Sequence, residues 1–243
     1  MPTTTAHTVK AFDDDLGQLR AMIGQMGGMA EHAIAEAMRA LMQRDHEAAL
    51  RVVANDKKLD LLEAEVETSI VQIIALRAPM ANDLRDVIAA LKIASIVERI
   101  GDYAKNIAKR VPALEDMARI EPLSLLPEMG RLVSEMVHNV LDAFTARDAQ
   151  LAVQVCERDR AVDDFYDSIF RTLLTFMMED PHNITPSAHL LFIAKNLERI
   201  GDHATNAAEM VYFAATGERM VERARGRGGL GGSAILGGSE FRK

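Results

Sequence analysis

Two carboxylates one helical turn apart, Glu98 and Asp102, return one hundred residues later as Glu198 and Asp202, each pair inside the same pentapeptide Glu-Arg-Ile-Gly-Asp. On an exposed helix, like charges at i and i+4 repel by roughly 0.2–0.5 kcal/mol, so a chain that keeps such a pair twice invites a cation as compensation. Identity extends well beyond the pentapeptide. Over Leu91 to Ala108, eleven of eighteen positions match at this offset, Asn106 and Asn206 among them. A single Glu-x-x-x-Asp is ordinarily a solvated acidic face, and its duplication makes it a candidate site.

Both copies have to be helical to align the pair. Ile93, Val97, Ile100, Ala104, Ile107 and Val111 recur at steps of four and three, the spacing of a bundle seam. At about 100° per residue, Glu98, Asp102 and Asn106 fall in one line away from that seam. Gly101 and Gly201, directly before each Asp, leave room for a neighbouring helix to approach.

The rest of the chain supplies those neighbours. A first helix is predicted over about 8–43, with Gly24, Gly27 and Gly28 in its middle. Each glycine costs up to ~1 kcal/mol relative to Ala, which implies either a close helix crossing or a bend. His32 and His46 read as exposed helix histidines. A second helix follows from Asp45, a plausible N-cap, to about Leu76, burying Val52, Leu59, Leu62, Val66, Ile70 and Ile73 and flanked by Asp56, Asp60, Glu63 and Glu67. Pro79 separates it from a third helix over about 81–110, which carries the first pentapeptide and stops near Pro112.

After Glu121, Pro122 and Pro127 the plan repeats, with helices predicted over about 127–145, 148–178 and 187–216 and a loop bracketed by Pro181 and Pro186. Arg44-Asp45 reappears as Arg147-Asp148, and the same offset of 103 carries Asp56 onto Asp159 and Asp60 onto Asp163. The offset shortens to 100 at the pentapeptide, which places a three-residue difference in the hairpin between the second and third helices of each half. Residues 8–115 and 116–218 are thus two tandem three-helix repeats, and 219–243 is a Gly-rich segment read as a flexible tail.

Composition agrees with an all-α chain of aliphatic core: 49% hydrophobic, 5% aromatic, no Trp and 14 Met in 243 residues. A net charge of −8 argues against nucleic acid as the main ligand. No leader-like pattern or membrane-length apolar run is present, so a cytoplasmic location is expected. Cys156 stands alone, giving neither a disulfide framework nor a thiolate cluster.

Two three-helix units, each with acidic residues on the second helix and Glu-Arg-Ile-Gly-Asp on the third, resemble the PhoU family of phosphate-uptake regulators over about residues 8–216. The resemblance implies two tandem antiparallel three-helix bundles. It also implies surface metal clusters held by D/E-x-x-x-D motifs, here Asp56, Asp60, Glu98 and Asp102 in one half and Asp159, Asp163, Glu198 and Asp202 in the other. Ile96 stands where an acidic or polar residue is common in the family, and its counterpart is Asn196, so the two sites are not expected to be chemically equal. Mg, Mn, Fe or Zn are the ions implied; an all-carboxylate set suits Mg²⁺, Mn²⁺, Ca²⁺ or iron better than a structural zinc. Implied partners are a sensor histidine kinase (PhoR type), the ATPase subunit of the phosphate-specific ABC transporter (PstB type) and a second copy in a homodimer, with membrane contact only through these partners.

Three competing readings stand beside this one. Arg99 and Arg199 could pair with the acidic second and fifth helices and neutralise them without metal. The chain could be a metal-free helical scaffold. A carboxylate-bridged di-iron enzyme would need Glu-x-x-His on two core helices, and within its predicted helices the chain offers one instance, Glu135 to His138. The residues themselves contain no P-loop, nucleophile elbow or His-Glu-x-x-His, so the expectation is a regulator and not an enzyme.

Overall fold

Each repeat turns from its first helix into its second with the same device. Arg44 and Arg147 both adopt left-handed backbone (φ 56° and 54°), and the aspartate after each caps the next helix. Asp45 accepts from the Ala48 N–H at 2.9 Å, and Asp148 accepts from the Gln150 and Leu151 N–H groups. The repeated Arg-Asp is therefore a helix stop followed by a helix start.

In a computed structural model that describes residues 4–114 and 124–220, the chain forms helices α1 (Thr4–Gln43), α2 (His46–Arg77), α3 (Asn82–Ala108), α4 (Leu126–Ala146), α5 (Ala149–Glu179) and α6 (Ile184–Thr216), with short 3-10 turns at Pro112–Leu114 and Pro181–Asn183. No strand occurs among the described residues. The fold is all-α, with α1–α3 and α4–α6 as two three-helix units. The Gly-rich segment beyond Met220 lies outside the described residues, as does most of the linker between Pro112 and Pro127.

Pro186 departs from the predicted loop. It lies in the first turn of α6 and is buried, because the first N–H groups of a helix have no intrahelical acceptor and a proline there sacrifices nothing. Asp180 caps the preceding 3-10 turn through the His182 N–H, so the hairpin passes almost directly into α6. The α2–α3 hairpin is less relaxed: Ala78 and Ala81 both have positive φ (46° and 48°), and Leu76 and Met80 beside them are exposed.

The predicted stripes form the interior. On α1, Leu19, Ile23, Met26 and Ile34 are fully buried; on α3, Ile93, Val97, Ile100, Ala104 and Ile107, with Val111 just past its end, are at most 2% exposed. Each large side chain so buried contributes about 1.5–3 kcal/mol. Leu62 alone of the expected α2 stripe is only half-buried. A single hydrophobic cluster runs through both repeats.

That continuity has a symmetry. A Cβ at Gly27 on α1 would overlap the Leu141 side chain on α4, and a Cβ at Gly130 would lie 3.1 Å from Met38 Cγ. Gly130 and Leu141 are the repeat counterparts of Gly27 and Met38 at the offset of 103, so the two contacts are mates. The glycines mark a close crossing, and α1 runs unbroken through Gly24 and Gly28. Between α3 and α6, Tyr103 meets its own counterpart His203, ring centroids 5.2 Å apart, while Arg110 reaches Phe192 and Arg85 packs against Gly217. Rising numbers on α3 meet falling numbers on α6, so these helices are antiparallel. The halves are related by an approximate two-fold axis through α1/α4 and α3/α6, with self-complementary contacts like those of a symmetric dimer. Helices α2 and α5 flank this centre, each packed chiefly on its own repeat's helices.

Candidate acidic sites

The pentapeptide glycine sets how closely the second helix approaches the third. A Cβ at Gly101 would overlap Leu59 on α2, and a Cβ at Gly201 would lie 3.2 Å from Val162 Cγ1 on α5; Leu59 and Val162 are themselves repeat counterparts. Helix α2 thus lies against the Glu98/Asp102 line of α3. The carboxylates do point away from the bundle seam, as their spacing requires, yet they face α2 and are half-buried.

In the first repeat the cluster comprises Asp56, Asp60 and Glu63 from α2 with Glu98 and Asp102 from α3. Burial, then the charges of Asp102, Glu63 and Asp60, push the Glu98 carboxyl up to about 7 against the opposing charge of Arg99. Asp56 has a side chain just 7% exposed, and its carboxylate accepts from the Lys105 ammonium at 2.5 Å. The same ammonium donates to Asp102. Burial by itself would loosen the Lys105 proton, but the hydrogen bonds to Asp102 and Asp56 and their charges outweigh it and hold the proton more tightly than in an ordinary lysine.

In the second repeat, Asp159 and Asp163 from α5 meet Glu198 and Asp202 from α6. Burial and then Asp159, Asp202 and Asp167 raise the Asp163 carboxyl, with Lys195 opposing. Burial also raises Glu198, partly offset by its hydrogen bond from Lys195 at 2.6 Å. The Lys195 ammonium lies 5.0 Å from the Tyr166 ring centroid, while Glu198 Oε2 is buried without a hydrogen-bond partner.

Each cluster therefore has one intrinsic ammonium, supplied from opposite ends of the pentapeptide. Lys105 follows Asp102 by three residues, and its counterpart is Thr205; Lys195 precedes Glu198 by three, and its counterpart is Ser95. The expected pairing of Arg99 and Arg199 with the acidic helices is replaced by these lysines. Both arginines are exposed, and Arg199 reaches outward to within 5.9 Å of the Tyr103 ring. The lysines were readable as i±3 partners on a helix, as were Glu63 and Asp167 as further turns of the acidic lines.

The oxygen-only donor set suits a hard cation, but as arranged it does not close on one point. Among the described residues no group of three or more His, Cys, Asp or Glu side chains converges to hold a metal ion, and the gap between Asp56 and Asp102 is filled by the Lys105 ammonium. Beside this cluster a cleft of about 510 Å³ opens between α1 and α2, lined by Gly28, Met29, His32, Arg51, Asn55, Asp56 and Gly101 among others.

Glu135 and His138 do not provide a di-iron half-site. Their side chains are 42% and 60% exposed on the outer face of α4, where Glu135 pairs with Arg131 and Arg158 and His138 lies 3.4 Å from Glu31. A bridged di-iron centre draws its ligands from the bundle interior. No helix among the described residues is long and apolar enough to cross a membrane.

A family model described as the PhoU domain matches the chain twice, over residues 23–111 and 126–211. Among curated relatives, a phosphate-specific transport system accessory protein PhoU homolog of Zymomonas mobilis is 60% identical over 91% of this chain and 93% of its own length. One from Caulobacter vibrioides is 48% identical over 90% and 96%. Two solved structures share the fold: PhoU from Pseudomonas aeruginosa (TM-score 0.82, 36% identity, 85% of this chain and 100% of that one) and the phosphate transport system regulatory protein PhoU from Streptococcus pneumoniae (TM-score 0.81, 28% identity, 87% and 100%).

Proposed function

Because the chain belongs to the PhoU family, we propose that it is a regulatory accessory of phosphate transport and not an enzyme. It couples the phosphate-specific ABC transporter, through the ATPase subunit, to a sensor histidine kinase and holds phosphate-starvation genes off when phosphate is plentiful. The observation that carries this reading is 60% identity, over nearly the whole of both chains, to a protein named as an accessory of that transport system. The protein acts in the cytoplasm as a homodimer, and its membrane contact runs through its partners.

What its own residues contribute is a rigid helical body with outward faces. The single core through both repeats and the close glycine crossings make the six helices one unit, so a partner on one face is held at a fixed angle to a partner on another. Metal enters this reading only by exchange: Mg, Mn, Fe or Zn at either acidic cluster has to displace Lys105 or Lys195. No step of the coupling is routed through an ion.

The test is genetic and biochemical together. Deleting the gene is expected to leave phosphate-starvation promoters active in high phosphate, and purified protein is expected to bind the transporter ATPase or the kinase. Normal repression in the deletion strain, without a second copy of the gene, refutes the reading.

A further inference from the structure

The approximate two-fold axis emerges on the α3/α6 face between residues that neither acidic cluster uses. Tyr103 and His203 meet edge to face there. Arg99 and Arg199 flank them, both exposed, and the Arg199 guanidinium lies 5.9 Å from the Tyr103 ring centroid. Arg99 and Arg199 are near enough to His203 that both charges act with its burial to depress its basicity, against Asp202 and a hydrogen bond at the Arg199 carbonyl. Neither guanidinium makes an ion pair or side-chain hydrogen bond among the described residues, although the chain has 36 acidic side chains against 28 Lys and Arg. Two neighbouring guanidinium groups without a direct ion-pair partner on an acidic protein call for an anion from elsewhere.

We propose that Arg99 and Arg199, with Tyr103 and His203 between them, form the docking point for an acidic protein surface that has its own two-fold axis. Arginine and tyrosine are the residue types in which binding energy concentrates, and a guanidinium resting on a ring is already ordered before it meets a carboxylate. The same face continues to Arg110, stacked 3.8 Å from the Phe192 ring centroid, with Phe192 37% exposed. Such a stripe of paired arginines and rings along two helices is broader than a small anion covers. The axis presents the same cation twice, so it matches a partner that presents a carboxylate twice. A second copy of this chain seated on the same axis would bring arginine against arginine.

The proposal rests on the regulatory reading above, since its probes are the two partners named there. Binding of the full chain to the purified transporter ATPase subunit and to the full-length kinase in nanodiscs is measured for wild type, Arg99→Glu/Arg199→Glu, Arg99→Lys/Arg199→Lys, and Lys57→Glu/Arg160→Glu. The last pair are exposed repeat counterparts on α2 and α5 and carry the same change of charge away from the axis. The dyad reversal is expected to weaken binding to one partner at least a hundredfold and to flatten its salt dependence, the lysine variant about tenfold, and the α2/α5 control less than threefold. Wild-type binding with equal loss in control and dyad variants, or with no loss in either, overturns the docking proposal and leaves the regulatory reading intact. Wild-type binding to neither partner overturns both. A dyad reversal that abolishes self-association while partner binding survives assigns the face to a second copy and refutes the proposal, as does saturable inorganic phosphate binding that needs the arginines when partner binding does not. Unchanged helical circular dichroism and melting show that the variants are folded.

Discussion

Replacing Glu98 by Gln isolates the electrostatic cost of the first acidic cluster. Burial and the carboxylates of Asp102, Glu63 and Asp60 push Glu98 from 4.5 up to about 7, with the charge of Arg99 opposing them. At 1.36 kcal/mol per unit, that displacement has a ceiling of about 3.4 kcal/mol. Solvent access to a half-buried group reduces it to about 1–2 kcal/mol. The sign follows from proton counting. Below pH 4.5 Glu98 is protonated in both the folded and the unfolded chain and contributes no penalty. Between 4.5 and about 7 the unfolded chain gives up the proton while the folded chain keeps it, so stability falls as pH rises, and above 7 the full penalty is present. Glutamine has the same shape without the charge. Urea unfolding followed by helical circular dichroism is therefore expected to show the Gln variant matching wild type near pH 4.5 and exceeding it by about 1–2 kcal/mol at pH 8. Glu198, Asp163 and Asp86, also raised, are common to both proteins and drop out of the difference. A variant that is less stable than wild type at pH 8, or a gap that fails to widen with pH, refutes the assigned crowding.

Three further outcomes are expected. Lys105→Met removes the ammonium from Asp56 and Asp102 and should cost about 1–3 kcal/mol, because Asp56 is left buried and unpaired; elemental analysis of protein purified without chelators should show more divalent metal than in wild type, and equal content refutes competition between ion and lysine. Gly101→Val, which drives a side chain into Leu59, should lower stability by about 2–3 kcal/mol, and Gly201→Ala, 3.2 Å from Val162 Cγ1, by less; thermal melts that rank them the other way contradict the helix spacing. Ala81→Gly relieves a non-glycine residue at φ 48° and should stabilise by about 1 kcal/mol, raising Tm by about 2–4 °C in a chain of this size, whereas a lower Tm places the strain elsewhere.

Helix number, the repeat and the turn chemistry were legible in the residues because each depends on neighbours close in sequence. Asp45 and Asp148 cap as their types predict, and the stripe from Ile93 to Val111 is buried as spaced. Pro186 reads as loop from the sequence because a proline in the first turn of a helix looks, without the cap at Asp180, like one that ends a helix. Lys105 and Lys195 lay within helical reach of the carboxylates they neutralise. Arg99 and Arg199 sit inside the repeated pentapeptide, but residue 99 lies on a different side of α3 from residues 98 and 102. The meeting of Tyr103 with His203 and of Gly27 with Leu141 was not legible at all. These contacts depend on how the two repeats dock, and local spacing carries no information about that.

The self-complementary centre of this molecule is joined by covalent linkage, and that changes what dilution and inheritance can do to it. A dimer held by the same contacts would fall apart as its concentration dropped, and its apparent stability would vary with dose; here the two sides remain together at any concentration. A dimer of identical subunits must also accept every substitution twice. In a single chain the halves are free to differ, and the lysines do: one side neutralises its carboxylates from Lys105, the other from Lys195, and the counterparts of these lysines are Thr205 and Ser95. Two sites of common origin can thereby acquire different selectivities without disturbing the scaffold that holds them.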